Sequence, residues 1–496
     1  MIDSQRRTEE MSLVLAAEEC PAERFDEMHT FSPHDQRVLR KLIAHGPVLL
    51  QGGRGTGKSA LMIAASRQVA PFQGDSQVLG LYVSLRYVPL LRASGSSYER
   101  LFCKWVSRKV QRVLHDTFFF PEVSNVRSLK NALTELSAGM DKRVVLLFDD
   151  AAHIGRETSL GGFFDIFRTL SSDVISCKAA IYPGVTEFGT RFDVYNDATV
   201  VDVVRSPEQA GFRELFSGIV RLRYPVFSDE RFKGVDFTRL AEFTGAAVLG
   251  NVRGFIFAWN YLLERAEAGA SIGYSALGET LLRLAADYYW PLLEEVKPKL
   301  GRYVPAVEVS QELAATLFET CATARTQSAV VHRKHVARFA KSFEILEYAG
   351  FIARREASRA MKSGGRGPRY AVNLCNLFER VPGARLTTKA FEDWLLQTSA
   401  PVELHERGGH FADIEPAEPA DSGDLEVFFL PVEKLAKSKA YPYGLTEQKL
   451  TILQNAGIDT IGDLADQTDK DLLSIGGIGE ATVERIKSVL GQAIWM

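Results

Sequence analysis

The chain has 496 residues, of which 46% are apolar and 24% charged, with a formal net charge of -3. These are ordinary values for a folded globular protein of two to four domains, and they exclude a disordered or fibrous chain. Five scattered cysteines (Cys20, Cys103, Cys177, Cys321 and Cys375) have no paired spacing, which argues against a disulfide framework or a zinc site. No apolar run reaches membrane-spanning length and the start MIDSQRRTEE lacks a signal-peptide pattern, so a cytoplasmic protein with no membrane partner is expected.

From about Gly46 to Arg205, short Val-, Ile- and Leu-rich runs at 48–51, 78–84, 143–150, 174–182 and 198–204 alternate with helical stretches. That pattern predicts an α/β domain with a buried parallel sheet. The first run leads into Gly52-Gly53-Arg54-Gly55-Thr56-Gly57-Lys58-Ser59, which meets G-x-x-x-x-G-K-[ST] at every defined position and continues as a helix. Its glycines let the backbone wrap closely and aim N–H groups at phosphate oxygens. Lys58 is expected on the β and γ phosphates and the Ser59 hydroxyl on Mg²⁺, which makes ATP and Mg²⁺ the expected cofactors. The run at 143–150 ends in Asp149 and Asp150. Asp149 is expected to hold Mg²⁺ through water, and Asp150 to activate the attacking water. An aspartate is one methylene shorter than the glutamate often found there, so slow ATP hydrolysis is expected. The other reading of Asp150 is a cap on the segment that follows.

Residues 206–299 carry only helical patterns. With the P-loop and acidic pair in place, the chain resembles AAA+ ATPases of the origin-recognition and initiator-loader type, over roughly Phe31 to Tyr370. The resemblance implies a parallel-sheet core over 1–205 and an all-helical lid over 206–299. It also implies three further site residues. Thr186, after the strand run VISCKAAIY, matches a polar sensor. Arg191, in FGTRFDVYND, matches an arginine offered to a neighbouring subunit's nucleotide, which implies a homo-oligomer. Arg253, in Gly250-Asn251-Val252-Arg253, matches the lid arginine that contacts the γ-phosphate. The plainer readings are a capping threonine, a surface arginine and a helix-start arginine in a salt bridge.

Proteins of this type carry a winged-helix domain after the lid, and residues 300–397 have that pattern: two helical regions, then FIARRE and RYAVN as paired strands around ASRAMKSGGRGP. From Arg325 to Val372 eleven Lys/Arg stand against three Glu, a local excess of positive charge suited to phosphates of double-stranded DNA. Arg333, Lys334, Arg338, Arg354, Arg355 and Arg366 are the expected DNA contacts. Residues 398–424, with Pro401, Pro416, Pro419 and seven acidic residues, read as a flexible acidic linker. From 425 to 496 the chain reads as a small all-α domain. Ile475-Gly476-Gly477-Ile478-Gly479 followed by Val483 and Ile486 resembles the helix-hairpin-helix family, with a degenerate first copy at 453–461. That resemblance implies phosphate contact through Gly477 and Gly479, with Lys487 beyond. Glu480 and Glu484 favour the alternative, a module that docks a partner protein.

Two functions remain in view. One is an ATP-dependent DNA-binding AAA+ ATPase that assembles on DNA in a nucleotide-switched manner. The other is a STAND-like signalling or regulatory ATPase that recruits or restrains a partner, in anti-phage defence or transposition by analogy alone.

Overall fold

The computed structural model describes residues 16–495 except 71–75, 87, 116, 153–156, 186–187, 190, 228–231, 233–234, 382, 384, 397–398, 421–424 and 438–443. Five strands, β1 Val48–Gln51, β2 Val78–Ser84, β3 Arg143–Ala152, β4 Ile175–Ile181 and β5 Thr199–Asp202, form one parallel sheet in the order β2-β3-β4-β1-β5. The pleat of β3 divides its side chains between two helical layers. Val144, Leu146 and Phe148 face the cluster of helices Gly95–Leu114, Val126–Met140 and Glu157–Leu170, while Val145 and Leu147 face helices Pro33–Ile43 and Lys58–Gln68. A strand covered on both faces has no polar side, and all seven residues of β4 are buried. Its one cation, Lys178, reaches the edge of the sheet, where Nζ donates to Ala44 O at 2.7 Å and also to Gly46 O. The register brings the ends of β1 and β3 to the same edge, on either side of β4.

Helices Phe212–Arg223, Phe237–Ala247 and Val252–Glu267 bury Phe216, Phe243, Phe255 and Trp259 in a second core. That core runs without a break into the next domain, through Tyr289 and Phe351. There the helix Ala306–Thr323 is followed by β6 Ser328–Val331, helices Arg333–Arg338 and Ala340–Ala349, and the hairpin β7 Ile352–Ala360 and β8 Arg366–Val372. This is a winged-helix order, and it differs in detail from the sequence expectation. The basic helical region breaks in two near Phe339, and the hairpin strands run further toward a wing tip confined to 361–365. Gly350, at φ 78°, ends the second helix in the left-handed conformation that glycine adopts without strain.

The acidic stretch 398–424 is not the free linker that its composition suggests. Val402–Leu404 forms β9, parallel to β6 and completing a four-stranded sheet in the order β7-β8-β6-β9. Leu404, Phe411 and Ile414 are buried in the shared core, and the Ala420 N–H donates to Arg302 O at 2.7 Å. Three apolar anchors spread over eleven residues leave the average composition polar, yet they hold the segment against the domain. Beyond it, helices Glu447–Asn455, Ile461–Asp466, Asp469–Ser474 and Glu480–Trp495 close around their own core, which includes Leu453, Ile461, Leu472 and Ile486. Leu91 of the first domain packs against that core. If the strap at 402–414 is integral, Leu404→Ala removes a fully buried side chain and costs about 2–5 kcal/mol in denaturant unfolding of the winged-helix region. A free linker predicts no change.

Candidate functional site

The P-loop joins β1 to the helix Lys58–Gln68, and Gly57 enters that helix at φ 88°. Its carbonyls are all engaged. Lys58 Nζ donates to Gly52 O at 2.6 Å and Gly53 O at 3.0 Å. Asn251 Nδ2 donates to Arg54 O at 2.6 Å, Arg253 N to Gly55 O at 3.1 Å, and the Arg205 guanidinium to Thr56 O. Held this way round, the loop leaves the N–H groups at the start of the following helix for an anion. Two glycines are required by what crosses them. A Cβ on Gly53 would stand 2.8 Å from Glu347 O, and one on Gly55 would stand 2.5 Å from Asn251 Oδ1.

Residues outside the motif do much of the holding. Asn251 caps the helix Val252–Glu267 by accepting from Gly254 N, while its amide nitrogen clamps the loop. Arg205 is fixed by a buried ion pair with Asp35 at 2.8 Å. The Arg54 N–H donates to Tyr348 O of the winged helix at 2.8 Å, and the Arg54 side chain pairs with Glu295 at 3.2 Å. Lys58 also lies 3.7 Å from the Tyr182 ring centroid, and burial pushes its amine down to about 7.

The acidic centre contains one more carboxylate than the motif predicts. Ser59 hydrogen-bonds to Asp149, so the two oxygen ligands expected for Mg²⁺ stand side by side. Carboxylate oxygens of Glu18, Asp149 and Asp150 lie within 4.8 Å of one another, and such a donor set fits a hard divalent cation. Arg86 answers part of this charge, at 2.7 Å from Asp150 and 2.7 Å from Glu18. Burial and the neighbouring Asp150 raise Asp149, and burial pushes Glu18 up to about 7. The Tyr82 hydroxyl touches Glu18 at 2.5 Å and Asp149 at 2.8 Å. A phenol has one proton to give, so it donates to one of these carboxylates at a time. Glu18, Tyr82 and Arg86 were not among the sequence candidates. The only sequence signal was the position of Arg86 two residues past β2, beside the acidic strand.

Of the other expected residues, Thr186 lies outside the described residues. Arg191 is exposed, and its carbonyl accepts from Arg168. Arg253 lines the same cavity as Lys58 and Arg54. The basic residues of the winged helix are largely occupied. Arg354 pairs with Glu347 of its own domain at 3.0 Å, and Arg355 donates to Arg205 O of the core at 2.9 Å. Arg366 donates to Ser358, Lys334 pairs with Glu406 at 2.6 Å, and Arg338 donates to Ile414 O at 2.7 Å, while Arg333 is exposed. In the last domain Gly477 sits at φ 90°, Gly479 faces open space, and Lys487 pairs with Asp469 at 2.5 Å.

Residues 445–492 match the family described as SAM-like helix-hairpin-helix tandem. No curated protein matches the chain. Among solved structures it is similar to a Walker-type ATPase of Pyrococcus abyssi, at 12% identity over 69% of this chain and 93% of that one, with a TM-score of 0.41. It is also similar to the Aeropyrum pernix ORC1 protein in complex with DNA, at 13% identity over 78% and 96%, with a TM-score of 0.34. A STAND protein with a tetratricopeptide repeat sensor from Pyrococcus horikoshii aligns at 12% identity over 74% of this chain and 45% of that one, with a TM-score of 0.28. At such values the strand order and the P-loop geometry, not these likenesses, carry the architecture. The chain has a parallel-sheet P-loop core, followed by an all-helical region, a winged-helix order and a C-terminal region similar to the helix-hairpin-helix tandem.

Proposed function

We propose that this protein is an ATP-dependent, nucleotide-switched AAA+ ATPase that engages double-stranded DNA. The carrying observation is the hydrogen bond from the Arg54 N–H to Tyr348 O, which ties the phosphate-binding loop directly to the winged helix. The helix Ala340–Ala349, second of the pair before the wing hairpin and so the one expected in a DNA groove, is turned to the P-loop, and Lys341 Nζ donates to Gly184 O at 3.0 Å. Phosphates entering the loop pull on Lys58, Arg54 and Arg253 together, and that pull is the lever by which the winged helix is released. Met28, Phe31, Leu215, Ile219 and Ile256 supply an apolar wall for the base. Ser59 and Asp149 would hold Mg²⁺, which would supply positive charge against the phosphates. Asp150 accepts the proton of the attacking water only after Arg86 leaves it, so turnover is expected to be slow. Arg191, exposed on the surface, completes a neighbour's site in a homo-oligomer.

A second reading is favoured by one observation. The tandem at 445–492 carries eight Asp/Glu against four Lys/Arg, and Lys487 is already paired. An acidic module suits a basic protein partner better than DNA phosphates, as a STAND-like regulator requires.

Lys58→Ala is expected to weaken Mg-ATP binding by calorimetry on the order of a hundredfold in a protein that still folds, because one charge-assisted contact to the phosphates is lost, and to cost about 1–3 kcal/mol in unfolding, because the Gly52 carbonyl loses its donor. Asp150→Asn is expected to abolish turnover while keeping ATP bound, and to bind duplex DNA more tightly with ATP than with ADP in fluorescence anisotropy. Equal affinity in both nucleotides removes the switch. No DNA binding in either, together with capture of a protein by residues 425–496, puts the second reading first. Mixing Arg191→Ala with Lys58→Ala subunits is expected to restore part of the ATPase activity, since one interface type then holds both intact groups.

A further inference from the structure

The acidic strap at 402–414 lies on the basic face of the winged helix, and its side-chain carboxylates are turned to donors there. The Glu403 carboxylate accepts from the Lys362 N–H at 2.9 Å and the Ser363 N–H at 3.3 Å, two successive amides of the wing tip. Successive N–H groups turned to one side form a concavity that holds an anion. Glu406 pairs with Lys334 at 2.6 Å, and Ile414 O accepts from Arg338 at 2.7 Å. Wing tip and helix are neighbours here, since a Cβ on Gly365 would stand 2.5 Å from His332 Nε2. In these contacts the strap offers a carboxylate or a carbonyl, and it meets a cation or a backbone donor, with the Ser363 hydroxyl also donating to Glu403 and the His335 ring lying against His405 O. A DNA strand offers the same chemistry.

The anchoring and the charge are carried by different side chains. Leu404, Phe411 and Ile414 are buried and keep the strap in place. The Glu406 and Lys334 side chains are 45% and 65% exposed, and a surface pair of that kind holds by only about 0–1 kcal/mol. A phosphate can take its place without unfolding the strand. We propose that the wing-tip amides of Lys362 and Ser363, with Lys334 and Arg338, form a phosphate-binding face for double-stranded DNA, and that Glu403 and Glu406 occupy it as internal stand-ins that lower its affinity. The inference rests on the DNA-binding reading above and adds its location and its built-in competitor. It also gives Lys334 a role that the groove-facing helix cannot supply while that helix lies against the P-loop.

The test compares the full chain with Glu403→Gln/Glu406→Gln, an isosteric pair of changes that removes two charges and leaves one acceptor oxygen on each side chain. A fluorescent mixed-sequence duplex is titrated by anisotropy across a salt series, with Mg-ATP binding as the measure of an intact fold. The double variant is expected to bind more tightly at low salt. Two further phosphates engaged steepen the logarithmic salt slope by about two, so its affinity falls about tenfold more than the wild type's between about 50 and about 200 mM salt. Lys334→Ala added to the double variant takes back part of the gain. If the wild type binds DNA and the double variant has the same affinity and slope, or binds more weakly, the stand-in role is overturned and the DNA reading survives. If neither binds DNA while both bind nucleotide, the inference and that reading fall together. If the gain is seen but Lys334→Ala leaves it whole, the face has been assigned to the wrong residues.

Discussion

A loop that binds phosphate through its own N–H groups has to find partners elsewhere for its carbonyls, because an unpaired buried carbonyl costs about 1–3 kcal/mol. In this protein those partners come from all over the chain: Lys58 from the loop's own helix, Arg205 from the end of the core, and Asn251 and Arg253 from the lid. Tyr348 of the winged helix takes the one amide that points the other way. The phosphate site is thus the point at which three domains are joined. Any ligand that reshapes the loop changes the bonds between those domains.

Charge at the acidic centre is likewise divided among shared groups. Three carboxylates converge where the motif alone would place two, and Arg86 divides itself between Glu18 and Asp150. Like charges at this spacing disfavour one another's ionisation in a buried site. Arg86 and the Tyr82 hydroxyl between Glu18 and Asp149 relieve the crowding. A divalent cation relieves it further. The same arrangement leaves Asp150 neutralised by its arginine, so a water-activating role requires that pair to open.

The winged helix shows how far a local excess of charge can be absorbed. Of the eleven cations between Arg325 and Val372, Arg354 and Lys341 pair with glutamates of the helix before the hairpin, Arg355 is tied to the core, and Lys334 and Arg338 are taken by the strap. A net positive count describes the residues present. Which of them face solvent depends on the surfaces brought against them.

The sequence by itself determined the parallel sheet, the P-loop, the acidic strand end and the hairpin glycines. Each of these depends on residues adjacent in the chain: a buried strand needs an unbroken apolar run, and a phosphate loop needs its glycines at set intervals. The strand β9 was not legible, because Val402, Leu404, Phe411 and Ile414 are few among acidic and proline residues and become a strand and its anchors only when β6 offers an edge. Nor were Glu18, Arg86, Asp35 and Glu295, each of which meets its partner across 60 to 240 residues of chain and belongs to no motif. Only the tertiary structure decided that the helix Ala340–Ala349 lies against the P-loop. The pattern of a helix specifies its buried stripe, and what lies against the rest of its surface is settled by packing between domains.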